Sequence, residues 1–235
     1  LPSSCSTPVS EGMVIRTNSA MVLEARKVIL ELLLADHDAD CLMCHRNLNC
    51  ELQKIANQAG VRVNRFENVL DKKPIDTSSP SIVRNPNKCV KCGRCVEICR
   101  DIQGVNIVEK IGRSINIEVL PAYGRYLLDA GCTACGQCST VCPVAAIYEK
   151  EEIDSVWEAI NDPLKHVIVQ TAPAVRVSIG EEFGMKPGSI VTGKLVAALR
   201  RLGFDRIFDT DFTADLTIIE EGHELLHRIK NGGVL

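Results

Sequence analysis

Twelve cysteines in 235 residues, eleven of them gathered into knots at 41–50, 89–99 and 132–142, leave few folds open to this chain. Neighbouring cysteines a turn apart close very small loops. Bridging them would remove little chain entropy, so a disulfide framework is a poor reading of the spacing. Knots of this density suit a shared inorganic ligand in a reducing setting.

The second and third knots are Cys89-x2-Cys92-x2-Cys95-x3-Cys99 and Cys132-x2-Cys135-x2-Cys138-x3-Cys142-Pro143. Each is the run by which bacterial ferredoxins bind a 4Fe-4S cubane. Three thiolates at two-residue gaps can wrap three irons, with backbone N–H groups turned toward the sulfur atoms. The fourth cysteine crosses to the other cubane. One cluster is therefore expected on Cys89, Cys92, Cys95 and Cys142, and another on Cys99, Cys132, Cys135 and Cys138. Zinc sites use cysteine pairs, and a third cysteine at the same spacing has no place in them. Gly93 and Gly136 sit inside the knots, where a tight loop calls for positive φ or close approach. Arg100 follows Cys99 where many ferredoxins have proline, a departure expected to alter the local turn but not the ligation. Residues 105–119 alternate around Gly112 and read as a hairpin, and 147–153 as a short strand or connecting piece.

Upstream lies His37-x3-Cys41-x2-Cys44-x5-Cys50. A helix capped by Asn18 or Ser19, with Val22, Leu23, Ile29, Leu30 and Leu33 as an apolar stripe, leads into it. His37 falls just past its end. Three thiolates and one imidazole make a four-ligand set for a third 4Fe-4S cluster. A neutral ligand in place of a thiolate should raise its potential, as in Rieske centres. The string from Cys41 to His45 also fits haem attachment, but that reading leaves His37 and Cys50 unused. A three-Cys, one-His zinc site is the other rival. His45 reads as a surface or supporting residue.

Composition adds limits. Net charge is −3, aromatics are 4%, and no basic face is evident, so nucleic-acid binding is not suggested. Scarce aromatics suit small domains whose cofactors fill the interior. No apolar run is long enough to span a membrane. The start lacks a signal-peptide pattern and an initiator Met, so it is not expected to be the native N-terminus. Cys5 stands alone. It is either a structural thiol or the last ligand of a 2Fe-2S cluster whose other ligands precede residue 1.

Taken in order, the Cys5 segment, the His-Cys knot and the twin ferredoxin knots resemble the N-terminal half of multi-cluster FeFe hydrogenases. NADH dehydrogenase large subunits share the His knot, and some formate dehydrogenases share all three cluster modules. The run Val167 to Arg176 and then Gly180 to Gly184 looks like the opening of the hydrogenase catalytic domain. The resemblance implies an α+β multidomain chain. Residues 1–17 would end a 2Fe-2S domain, and 18–80 would hold the His-Cys-ligated cluster plus a linker. The two-cluster ferredoxin domain would span 81–153, and 154–235 would begin an α/β catalytic domain. It further implies an oxidoreductase in a cytoplasmic hetero-oligomer, NAD(P)-linked or electron-bifurcating. Its partners would be a flavin- and NAD(P)-binding iron–sulfur subunit and a small 2Fe-2S subunit. The complete subunit would add a 2Fe-2S cluster and the H-cluster, the hydrogen-activating cubane joined to a di-iron site.

The last third reads as strand His166–Thr171, buried; helix Val191–Leu202 capped by Gly203; strand Arg206–Asp209; and a helix to about Lys230. That order suggests a parallel sheet, and one lacking further strands would expose an apolar edge. Gly188 to Lys194 imitates a phosphate-binding loop, but Leu195 stands where Ser or Thr would hold magnesium. No cysteine follows Cys142, so these residues cannot ligate an H-cluster, and a truncated or partly ordered hydrogenase subunit is expected over a chain without an active site.

Overall fold

The computed structural model describes residue 4, residues 7–68 and residues 71–233. They fall into two compact units, Leu1–Lys150 and Glu151–Leu235.

Unit 1 begins with α1 (Ala20–Ala35). Its cap is Ser19, whose hydroxyl accepts from the Val22 N–H at 3.4 Å. The buried face differs from the expected stripe. Leu30 and Glu31 are buried, while Leu23 and Ile29 lie open to solvent. The inward acid is satisfied, since Arg65 Nε donates to Glu31 at 2.6 Å. Leu30 packs with Leu52 of α2 (Glu51–Gln58) and with Val144 and Ala146.

The rest of unit 1 is built from short pieces: β1 (Ile82–Arg84), α3 (Arg94–Glu97), β2 (Val108–Ile111), β3 (Glu118–Pro121), α4 (Gln137–Val141) and β4 (Ile147–Glu149). β1 pairs antiparallel with β4, placing Arg84 opposite Ile147. β2 pairs antiparallel with β3, Val108 opposite Pro121. This hairpin lies a few residues later than the alternation suggested, because Ser114–Asn116 forms a helical turn that lengthens the connection. Gly112 has φ +84°, and a Cβ there would sit 2.2 Å from the Asn116 carbonyl oxygen, so no other residue fits. Both pairs enclose one apolar cluster of Ile82, Cys95, Val96, Val108, Val119, Leu127 and Ile147. Buried Asp76 fastens the loop before the third knot: its carboxylate accepts from Ser78 N–H at 3.0 Å and Leu127 N–H at 2.7 Å.

Unit 2 contains α5 (Ile153–Asn161), β5 (Ile168–Thr171), α6 (Pro173–Glu182), α7 (Thr192–Leu202), β6 (Arg206–Asp209) and α8 (Thr210–Asn231). β5 and β6 are parallel, Ile168 opposite Arg206 and Thr171 opposite Asp209. Gly203 caps α7 and the Asp209 carboxylate caps α8, accepting from Phe212 N–H at 3.0 Å. Gly188 to Lys194 is a bend entering α7, with α6 rather than a strand before it. The expectation of a buried first strand fails: Ile168 is 59% exposed and only Thr171 of β5 is buried. A parallel strand is buried only when layers cover both faces, and the described residues supply too little cover.

Candidate metal centres

The twin knots fold alike. Lys91 and Ala134, each two residues after the first cysteine of its knot, take positive φ of 57° and 55°. This curls the backbone so that their N–H groups donate to Cys89 Sγ and Cys132 Sγ, both at 3.4 Å. Gly93 and Gly136 follow at φ 86° and 75°, as their placement predicted, and open α3 and α4. Sequence reading missed Lys91 and Ala134, since neither residue type advertises a left-handed conformation. Their identical place in two copies of one motif was the available signal.

The exits differ, and Arg100 against Pro143 explains why. Proline lacks an N–H and keeps the preceding residue out of the helical region. Cys142 accordingly ends α4 extended, at φ −70° and ψ 121°. With Arg100 the chain continues past Cys99 in a wider, π-type turn over Ile98–Ile102, closed by Gln103 N–H donating to the Ile98 carbonyl at 2.9 Å. Ile107 N–H then donates to Cys99 Sγ at 3.4 Å.

Cys89, Cys92, Cys95 and Cys142 line one cavity, walled otherwise mainly by apolar groups including Val90, Val119, Val144 and Ile147. Burial pushes the Cys95 thiol up to about 12, with the charges of Cys89, Cys142 and Cys92 adding to it and that of Cys138 coming last. Burial also pushes Cys138 up to about 12, reinforced by Cys132, Cys135 and Cys99. Thiols held this high stay protonated at neutral pH unless cations draw off the proton, which is what iron ligation does. Among the described residues no three His, Cys, Asp or Glu side chains are grouped to hold a single metal ion. A cubane asks for another arrangement, with each thiolate on its own iron. All eleven cysteines of the described residues are free.

In the His knot, successive turns carry the chain from Cys41 to Cys50, with Cys44 N–H on the Cys41 carbonyl and Asn47 N–H on the Cys44 carbonyl. Burial, then the charges of Cys44 and Cys50, raise the Cys41 thiol. His37 sits just beyond α1, and its Nδ1 is buried with no hydrogen-bond partner. Burial, then the Lys88 ammonium, hold its pKa below the ordinary imidazole value, which favours the neutral ring a metal needs. A buried ring nitrogen without a partner is one that a metal could use; Lys88 is the group that acts on both His37 and Cys41. His45 stacks on Tyr148 of β4 at 4.0 Å. Cys50 caps α2, where Glu51 N–H donates to the Pro143 carbonyl at 3.0 Å, putting the His knot directly beside Cys142. Cys5 lies outside the described residues.

The iron-only hydrogenase large subunit, C-terminal domain, matches residues 165–235. The NADH-ubiquinone oxidoreductase-G iron–sulfur binding region matches residues 26–65. The NADP-reducing hydrogenase subunit HndD of Solidesulfovibrio fructosivorans is 49% identical over 229 residues, covering 97% of this chain and 39% of that protein. Iron hydrogenase 1 of Clostridium pasteurianum is 42% identical, covering 99% of this chain and 41% of its own length. An NADH-quinone oxidoreductase subunit of Rhizobium meliloti is 35% identical over 63% of this chain and 17% of that protein. A crystal structure of an NAD+-reducing [NiFe]-hydrogenase in the H2-reduced state superposes with TM-score 0.58 at 28% identity, over 63% of this chain and 64% of that one. The chain thus spans about two-fifths of the length of the hydrogenases it matches. No helix among the described residues is long and apolar enough to cross a membrane. Residues 165–235 match the iron-only hydrogenase large-subunit family and residues 26–65 the NADH-ubiquinone oxidoreductase-G iron–sulfur region, in a chain similar along nearly its whole length to hydrogenases.

Proposed function

We propose that this chain is the iron–sulfur relay of an iron-only hydrogenase subunit. It carries electrons between a flavin- or 2Fe-2S-bearing partner subunit and an H2-activating di-iron site. The ligands of that site would come from sequence outside these residues, since no cysteine follows Cys142. One observation carries the reading: cysteines from two distant knots, Cys89, Cys92 and Cys95 with Cys142, line a single cavity. We assign one 4Fe-4S cluster to those four and a second to Cys99, Cys132, Cys135 and Cys138. A third goes to His37, Cys41, Cys44 and Cys50. Cys5 would be the last ligand of a 2Fe-2S cluster.

Bound cubanes supply one-electron storage. The protein's part is to hold and tune them. Backbone N–H groups of Lys91, Ala134 and Ile107 point at thiolate sulfur and lessen its charge. Apolar walls line the cavity in which Cys95 is buried, while Cys92 reaches its exposed side. Contact between Glu51 and Pro143 keeps the His knot and the nearer ferredoxin knot adjacent, and adjacency is what charge transfer requires. The HndD relative is by name an NADP-reducing hydrogenase subunit, which supports a hetero-oligomer with a nicotinamide- and flavin-binding subunit as partner. Free thiols fit a reducing, cytoplasmic setting.

Similarity to NADH-quinone oxidoreductase subunits supports a second reading, a relay in a dehydrogenase. The hydrogenase-family match at 165–235 favours the first. Anaerobic purification with iron and sulfide analysis and EPR tests the assignment. Three cubanes bring about twelve irons per 235-residue chain, from four in each. Zinc in the His knot, or a covalent haem, would overturn it.

A further inference from the structure

Arg84 is a cation in search of an anion. It is the last residue of β1, and its backbone is tied on both sides, to Ile147 in β4 and to Asp76 through bonds of 2.8 and 2.9 Å. Its guanidinium donates to the Val119 carbonyl of β3 and lines the cavity that Cys89, Cys92, Cys95 and Cys142 share. Among the described residues it forms no ion pair. The nearby acids are engaged elsewhere: Asp76 accepts from Ser78 and Leu127, and Glu118 pairs with Lys73. Burial works against its charge, and the first group to favour that charge is Cys89, followed by Asp76, Cys95 and Glu118. A guanidinium withdrawn from water without a carboxylate is costly unless another negative group faces it.

The twin site is built differently. Arg84 stands five residues before Cys89, and at the same offset before Cys132 stands Leu127, which is 3% exposed. Two knots alike in cysteine spacing, positive-φ residues and N–H···S bonds therefore differ in charge at this position, as they do at Lys88, Lys91 and Arg94, whose counterparts are Gly131, Ala134 and Gln137. Adding an electron makes a cluster more negative, so a fixed cation beside it stabilises the reduced form more than the oxidised one.

We propose that Arg84 is the charge-compensating residue of the cluster on Cys89, Cys92, Cys95 and Cys142, setting its reduction potential above that of its twin. Of the twin pair, the cubane beside the His knot then takes up an electron first. This inference rests on the ligand assignment above.

The test is an EPR-monitored redox titration, with iron and sulfide counts, of the full-length cluster-loaded protein and its Arg84→Met and Arg84→Lys variants. Arg84→Met should load every cluster and shift one cubane to lower potential, leaving the others in place. Arg84→Lys should stay near the parent protein. Loss of that cubane in Arg84→Met but not in Arg84→Lys supports the same role. Full loading with unchanged potentials overturns it. So does equal change in both variants, which would make Arg84 a packing residue. The affected cubane should be the one missing from Cys142→Ala. A shift on a cubane that survives Cys142→Ala would break the ligand assignment while leaving the charge effect standing. A parent protein without iron would break the assignment before any variant is compared.

Discussion

Unit 1 and unit 2 organise their apolar residues in opposite ways. Beyond α1 and α2, the regular elements of unit 1 are brief: strands of three or four residues, and α3 and α4 of four and five. Yet its interior is well covered, because Ile82, Val96, Val108, Val119, Leu127 and Ile147 close around the cysteines of both ferredoxin knots. Unit 2 has the longest element, the 22-residue α8, but no residue of α8 is buried. Val191 and Leu195 are its only buried large apolar side chains among the described residues. Elements too short to persist alone are held where sulfur and metal can pin them. Long helices with good caps form from local preference and leave apolar faces such as Leu216, Ile219 and Leu226 half exposed.

Removing iron should widen that contrast more than any substitution. Stripping the clusters with chelator and mild oxidant is expected to abolish hydrogen-exchange protection in β1, β4, α3 and α4 while leaving α7 and α8 as they were. Equal loss in both units would mean that unit 1 does not depend on its metal for order.

Next in size comes packing. Ile82, 1% exposed, joins β1 to the cysteine-lined core. Ile82→Ala should cost about 2–5 kcal/mol. Leu225→Ala in α8, where the side chain is 50% exposed, should stay within about 0.5 kcal/mol. Thermal or denaturant unfolding of the cluster-loaded protein checks both, and comparable losses would erase the distinction.

What could be read from the sequence follows the same division. Ligand spacing within a knot is local chemistry, so the grouping around Cys89 and around Cys132 was legible residue by residue. The helix over Thr192–Leu202 and strand over Arg206–Asp209 were legible because caps and periodicity are local too. Properties set by distant residues were not. Burial of β5 depends on which layer covers Ile168, and the inward face of α1 depends on where Leu52 and Val144 arrive. The place of Arg84 depends on β1 being laid against β4 and beside Val119, which no spacing rule announces. The hairpin register slipped because a helical turn after Gly112 adds residues that the alternation rule cannot see.

Gly112 gives an intermediate effect within unit 1. Gly112→Ala would drive a methyl group into the Asn116 carbonyl at a backbone angle that alanine resists. The expected cost is about 1–3 kcal/mol, with loss of protection confined first to β2 and β3. A neutral result would mean that this hairpin is looser than the rest of unit 1.

The smallest effect belongs to the charged seam between the His knot and the ferredoxin knots. Arg94 donates from both terminal nitrogens to the Glu51 carboxylate, at 2.7 and 2.9 Å, with both side chains about half exposed. The hydrogen bond from Arg94 holds the Glu51 carboxyl below its ordinary value of 4.5. A carboxylate whose folded pKa is depressed contributes stability that is fully present above the ordinary glutamate range. That contribution fades as pH falls through the lower, folded value. Solvent screening keeps it small, so a double-mutant cycle of Glu51→Ala and Arg94→Ala at neutral pH should give a coupling under about 1 kcal/mol, shrinking with added salt and below about pH 4. The backbone bond from Glu51 N–H to the Pro143 carbonyl survives Glu51→Ala. The knots should therefore stay in register, and spin coupling between neighbouring clusters in EPR should not change. A large coupling energy, or altered cluster–cluster coupling in Glu51→Ala, would mean that the seam is held by its charges and not by the buried apolar contacts of Leu30, Leu52 and Val144.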